Sequence, residues 1–117
     1  MQDYTNLEVY QGAEMLVSDI YNLTKKFPQT EIYNLISQMR RASTSICANI
    51  AEGTGRSSNA DFLRFLHNSM GSLKELDSFI RISTKLNYIS QTDSLTFSKQ
   101  ITKIGNRLGC LMKKLKL

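Results

Sequence analysis

The chain has 117 residues and carries 15 Lys and Arg against 10 Asp and Glu, a net charge of +5. That length is one domain with room for a real core, and no apolar run approaches the ~20 residues of a membrane-spanning helix. One proline, no tryptophan and little clustering of β-branched residues point to an all-helical protein. The positive charge fits an anionic partner such as nucleic acid, and equally an ordinary soluble surface.

Periodicity predicts four helices, near residues 7–27, 31–52, 58–87 and 91–116, within a single domain over 1–117. In the first, Tyr10, Ala13, Val17, Ile20 and Phe27 recur at three- and four-residue steps, with Val9, Leu16 and Leu23 alongside. Thr5 and Glu8 have the spacing of a capping box. Pro28 ends the helix, because the residue before proline disfavours helical backbone. In the second, Ile32, Leu35, Met39, Ala42, Ile46 and Asn49 form a seam, and the residues turn small towards the end. Gly53 is expected as the left-handed residue that closes it.

Gly53 to Ser58 makes the next connection, and Ser58 with Asp61 is a fresh N-cap signal. The third helix has Phe62, Phe65, Leu66, Ser69, Leu73, Leu76, Ile80 and Ser83 on one seam. Gly71 inside it costs ~1 kcal/mol relative to alanine, which predicts a close backbone crossing there. Ser90 with Asp93 caps the fourth helix. Its seam is Phe97, Ile101, Ile104, Leu108, Leu111 and Leu115, and its other face carries Lys99, Lys103, Arg107, Lys113, Lys114 and Lys116. Connections this short favour antiparallel neighbours, hence an up-down-up-down four-helix bundle. The first and fourth helices have more apolar positions than one seam needs, which makes Val9, Leu16 and Leu23 candidates for a contact between copies.

The segment from Gln38 to Leu66 carries the chemistry. Its GTGRSS turn lacks the lysine and the preceding strand of a phosphate-binding Walker loop. Backbone amides opening the third helix, with Arg56 beside them, suit a phosphate of RNA or DNA in a weaker way, and a plain glycine cap fits better. Arg41, Ser45 and Asn49 follow at four-residue steps, and Asn49 and Glu52 share a face. Glu52 sits at a helix C-terminus, where the dipole disfavours a carboxylate. A buried structural network is therefore expected, with Arg41 or Arg56 neutralising Glu52 and Asn49 tying down a backbone group. A catalytic pair would have to be Glu52 and Glu75, and no activated nucleophile accompanies them. The expectation is no enzyme, with Glu52 and Arg41 the residues of the enzymatic alternative.

The phosphate contacts expected of a nucleic-acid binder are Arg40, Arg56, Arg64, Lys99, Lys103 and Lys113. Cys47 and Cys110 are far apart without a CxxC, and His67 is the one histidine, so no metal site and no cofactor are expected. Free thiols fit a reduced compartment. The first ten residues lack the basic region and apolar run of a signal peptide. The expected location is the cytoplasm, with no membrane partner.

The chain resembles the bacterial four-helix-bundle family encoded within intervening sequences of 23S ribosomal RNA genes. The likeness rests on LTKKFP (Leu23 to Pro28), SQMRRASTSICANIAEGTGRSS (Ser37 to Ser58), DFLRFLHNSMGSLKELDSFI (Asp61 to Ile80) and LNYIS (Leu86 to Ser90). The resemblance implies a left-handed bundle assembled as a ring-like homopentamer with a basic surface. Related accessory proteins of diversity-generating retroelements bind nucleic acid and a reverse transcriptase, so both are implied partners. Carried over, the family's motif falls on Arg40, Arg41, Asn49, Glu52, Gly53, Gly55, Arg56, Phe65, Gly71, Ser72 and Glu75. Cys47 stands where relatives often carry proline or a small residue. That argues against a shared cysteine chemistry. The alternative function is a scaffold or accessory subunit for a reverse transcriptase or a ribonucleoprotein.

Overall fold

The computed structural model describes residues 3–116, which contain helices and no strand. The helices are α1 (Glu8–Thr24), α2 (Ser37–Thr54), α3 (Asn59–Lys85) and α4 (Gln91–Lys116). Short connections reverse the chain after each one. α2 packs between α1 and α3, and α4 closes the bundle against α3 and, more loosely, α1. The result is an up-down-up-down four-helix bundle, 44 × 24 × 20 Å.

The four seams meet in one core. Leu16 and Ile20 of α1, Met39, Ile46 and Ile50 of α2, Leu66 and Leu76 of α3 and Leu108 of α4 are wholly inaccessible. Each such side chain contributes about 1.5–3 kcal/mol on leaving water. Val9, Leu16 and Leu23 belong to this core, at 4%, 0% and 8% exposure. They are therefore not a contact between copies; α1 uses its whole wide stripe to meet both α2 and α4. Buried serines are satisfied: Ser69 donates to the Ile46 carbonyl at 2.9 Å and Ser83 to the Met39 sulfur at 3.7 Å.

Helix boundaries follow local chemistry, with three departures from expectation. Thr5 does not cap α1; Asp3 instead accepts from the Thr5 amide and hydroxyl and closes a 3-10 turn over Tyr4–Asn6. Leu7, which has no capping side chain, stands at the α1 N-cap. After Pro28 the chain makes a 3-10 turn, Gln29–Glu31, and a π-turn, Ile32–Ile36, before α2 begins. The wider turn lets Leu35 and Ile36 both enter the core.

Gly53 is helical, with no positive φ. A Cβ there would lie 2.8 Å from the Phe62 Cδ1 and 3.0 Å from the Phe65 Cβ. Its role is close approach of α2 to α3. Gly71, where that role was expected, faces open space instead. The expected Ser58 and Ser90 caps form, accepting from the amides of Asp61 at 3.1 Å and Asp93 at 3.0 Å. α3 ends on Asn87, at φ 67. The Tyr88 amide returns to the Ser83 carbonyl and the Asn87 amide to the Thr84 carbonyl, a Schellman closure.

Candidate nucleic-acid interface

The α2–α3 corner is built by two caps. The Gly55 amide donates to the Glu52 carbonyl and the Arg56 amide to the Gly53 carbonyl, both at 3.1 Å, which ends α2 and throws the Arg56 side chain over α3. Its guanidinium stands 2.9 Å from Glu52, 3.6 Å from Asp61 and 4.4 Å above the Phe65 ring. Arg64, one turn into α3, donates to Asp61 at 2.9–3.0 Å and also lies 4.4 Å from the Phe65 centroid. Two arginines thus stack on one aromatic ring, an arrangement that fixes planar guanidinium groups. Two carboxylates already neutralise them, so an incoming phosphate must compete with Glu52 and Asp61.

The network expected around Glu52 is neither buried nor joined by Arg41. The Glu52 side chain is 56% exposed and pairs with Arg56. Arg41 is exposed and makes no ion pair among the described residues. The reason is register: Arg56 follows Glu52 by one turn, whereas Arg41 lies nearly three turns before it. Asn49 donates to the Ser45 carbonyl at 2.9 Å and to its hydroxyl at 3.1 Å, and Ser45 meets Ser72 of α3 at 2.9 Å.

The six cations chosen from sequence fall in three places. Arg56 and Arg64 share the corner. Arg40 is half-buried on the α1–α2 seam, where its Nε donates to Thr24 at 3.0 Å and its guanidinium covers Tyr21 at 4.6 Å. Lys99, Lys103 and Lys113 are exposed along α4, the first and last separated by roughly 21 Å. The alternation of the bundle brings the Lys113 end of α4 to the same end as the α2–α3 corner.

Sequence reasoning left Arg107 out of the interface. It lies between Lys103 and Lys114 and pairs with Glu8 of α1 at 3.3 Å. With Leu7, Cys110, Leu111 and Lys114 it lines an open groove of about 460 Å³ between α1 and α4. α4 therefore carries Lys99, Lys103, Arg107, Lys113, Lys114 and Lys116 against Asp93 alone. α1 carries Glu8, Glu14 and Asp19 with no cation.

Nothing at these positions resembles an activated nucleophile. Burial, and then the charge of Glu14, pushes the Cys47 thiol up to about 11. Burial likewise raises Tyr10, beside Cys47 and Glu14, to about 12. No group of three or more His, Cys, Asp or Glu is placed to hold a metal ion among the described residues. No described helix is long and apolar enough to cross a membrane.

These features define a class: a compact four-helix bundle with tight connections and a cationic last helix. The chain belongs to the family described as 23S rRNA-intervening sequence protein, whose model matches residues 5–110. Its fold is shared by a crystal structure of a protein of unknown function from the S23 ribosomal protein family of Bacteroides thetaiotaomicron VPI-5482. That similarity has a TM-score of 0.83 at 24% identity and covers 90% of this chain and 95% of the other. A comparison with curated proteins gives no match.

Proposed function

We propose that this protein is a non-enzymatic, oligomeric nucleic-acid-binding protein of the cytoplasm, whose α4 supplies the main phosphate contacts. The observation that carries this reading is the charge of α4: six cations against one carboxylate on a helix whose lysines are exposed. Lys99, Lys103 and Lys113 are the primary contacts. Arg56 and Arg64 add to them where phosphate displaces Asp61. Arg40 is secondary, because Thr24 already engages its Nε. The family resemblance supports a ring-like homopentamer, which would repeat α4 around an axis and multiply its field.

Binding to RNA and DNA oligonucleotides across a salt series tests the reading. Each phosphate contact contributes about 0.7–0.9 to the log–log salt slope. Replacing Lys99, Lys103 and Lys113 together with alanine should lower that slope by about 2–3. Absent binding, or binding indifferent to salt, overturns it.

Exposed apolar side chains favour a second reading, a scaffold for a reverse transcriptase or ribonucleoprotein. Met15 and Leu95 are 66% and 58% exposed. Under that reading a protein partner is retained when the three lysines are replaced.

A further inference from the structure

α3 has a second stripe, on the side away from the core. Gly71, Glu75, Phe79, Ile82 and Leu86 recur at three- and four-residue steps, which places them along one face. Ser72 leans from its edge onto Ser45 of α2 at 2.9 Å, so Arg41, one turn before Ser45, belongs to the same outer surface. The protomer leaves three features of this surface unused. Ile82 and Leu86 are 45% and 48% exposed, one turn apart and beside half-buried Phe79. Gly71 is a poor helix former in mid-helix, and a Cβ on it would meet nothing within 4 Å. Arg41 and Glu75 are both exposed, are opposite in sign and make no ion pair among the described residues.

Charge selects the occupant. Nucleic acid is drawn to α4, where cations dominate. Another copy of this chain carries +5 and is repelled from such regions. The outer α2–α3 surface offers it one free charge of each sign instead. We propose that this surface binds a second copy of the chain, with Arg41 of one protomer against Glu75 of the next and a helix approaching closely over Gly71. Exposed Ile82 and Leu86 supply the apolar part of the contact. The inference rests on the oligomeric reading above and assigns its interface.

Charge reversal with recovery in trans tests it, read as mass by light scattering over a dilution series. Arg41→Glu alone and Glu75→Arg alone should each weaken assembly at least about tenfold, because each places like charges in contact. Mixing the two variants should restore assembly, since each supplies the charge the other lacks. A pair formed within one protomer gives no such recovery. Gly71→Leu should weaken assembly and leave the helical signal intact, because its site is open within the protomer. Single variants that assemble like the parent, or that lose assembly without recovery on mixing, overturn the proposal and leave oligomerisation standing. A parent that is monomeric at every concentration overturns the oligomeric reading as well.

Discussion

Glu52 shows how burial sets the worth of a charge. A wholly buried pair would cost ~3–5 kcal/mol on losing one member. Glu52 and Arg56 form their 2.9 Å pair in solvent, with the Glu52 side chain 56% exposed. Exposed pairs contribute about 0–1 kcal/mol. Glu52→Gln should therefore shift the melting temperature only slightly in calorimetry. Gly53 is the more sensitive position. Alanine gains ~1 kcal/mol of helix propensity there, but its Cβ meets the Phe62 ring at 2.8 Å. Overpacking of this kind costs about 1–3 kcal/mol. Gly53→Ala should lower the denaturant midpoint, whereas Gly109→Ala, at a site with open space, should raise it.

The two cysteines separate in the same way. Cys110 is exposed and Cys47 is half-buried with its thiol raised from 9.0 to about 11. At pH 8, alkylation should label Cys110 readily and Cys47 slowly until the protein unfolds. Because the folded value lies above the unfolded one, the neutral thiol is favoured by folding. That contribution is complete below pH 9 and is lost as pH rises through about 11. Tyr10, raised from 10.0 to about 12, extends the decline upward. Melting temperatures measured from pH 8 to 12 should fall over this window, and Cys47→Ala should flatten its lower half.

At the scale of the element, boundaries were legible wherever a side chain made them. Ser58 and Ser90 mark their N-caps by spacing from Asp61 and Asp93, and Pro28 marks a stop. Backbone-made boundaries were not. The π-turn at Ile32–Ile36 leaves no residue signature, and Gly53 at a helix end looks like a left-handed cap whether or not its φ is positive. Asn87 is where the left-handed residue stands, at φ 67. Asparagine tolerates that region, glycine better still, and a β-branched residue poorly. Asn87→Gly should keep or slightly raise stability, and Asn87→Val should lower it by roughly 1–2 kcal/mol in urea titration.

Over the whole molecule, the net charge of +5 conceals its distribution. α1 holds three carboxylates and no cation, while α4 holds six cations and one carboxylate. The two helices lie side by side, with Arg107 clasping Glu8 at 3.3 Å and Gln100 meeting Asp19 at 3.1 Å. This proximity discharges Arg107 and leaves the lysines of α4 as the source of the outward field. Glu8→Gln should release Arg107 and tighten oligonucleotide binding modestly at low salt, with the gain vanishing as salt rises.

The sequence alone determined the helices, their count and most of the core, because three- and four-residue apolar spacing is a property of each helix separately. It also located the polar corner and the motifs that resemble the family. Only the tertiary structure decided which partners those polar residues meet. Arg56 reaches Glu52 and Arg41 does not, because a helix end turns one side chain back and leaves the other pointing out. Packing likewise assigned Val9, Leu16 and Leu23 to the core, Gly53 to the α2–α3 contact and Gly71 to open surface. Each of these outcomes depends on the distance between helices, which apolar periodicity within any one helix does not encode.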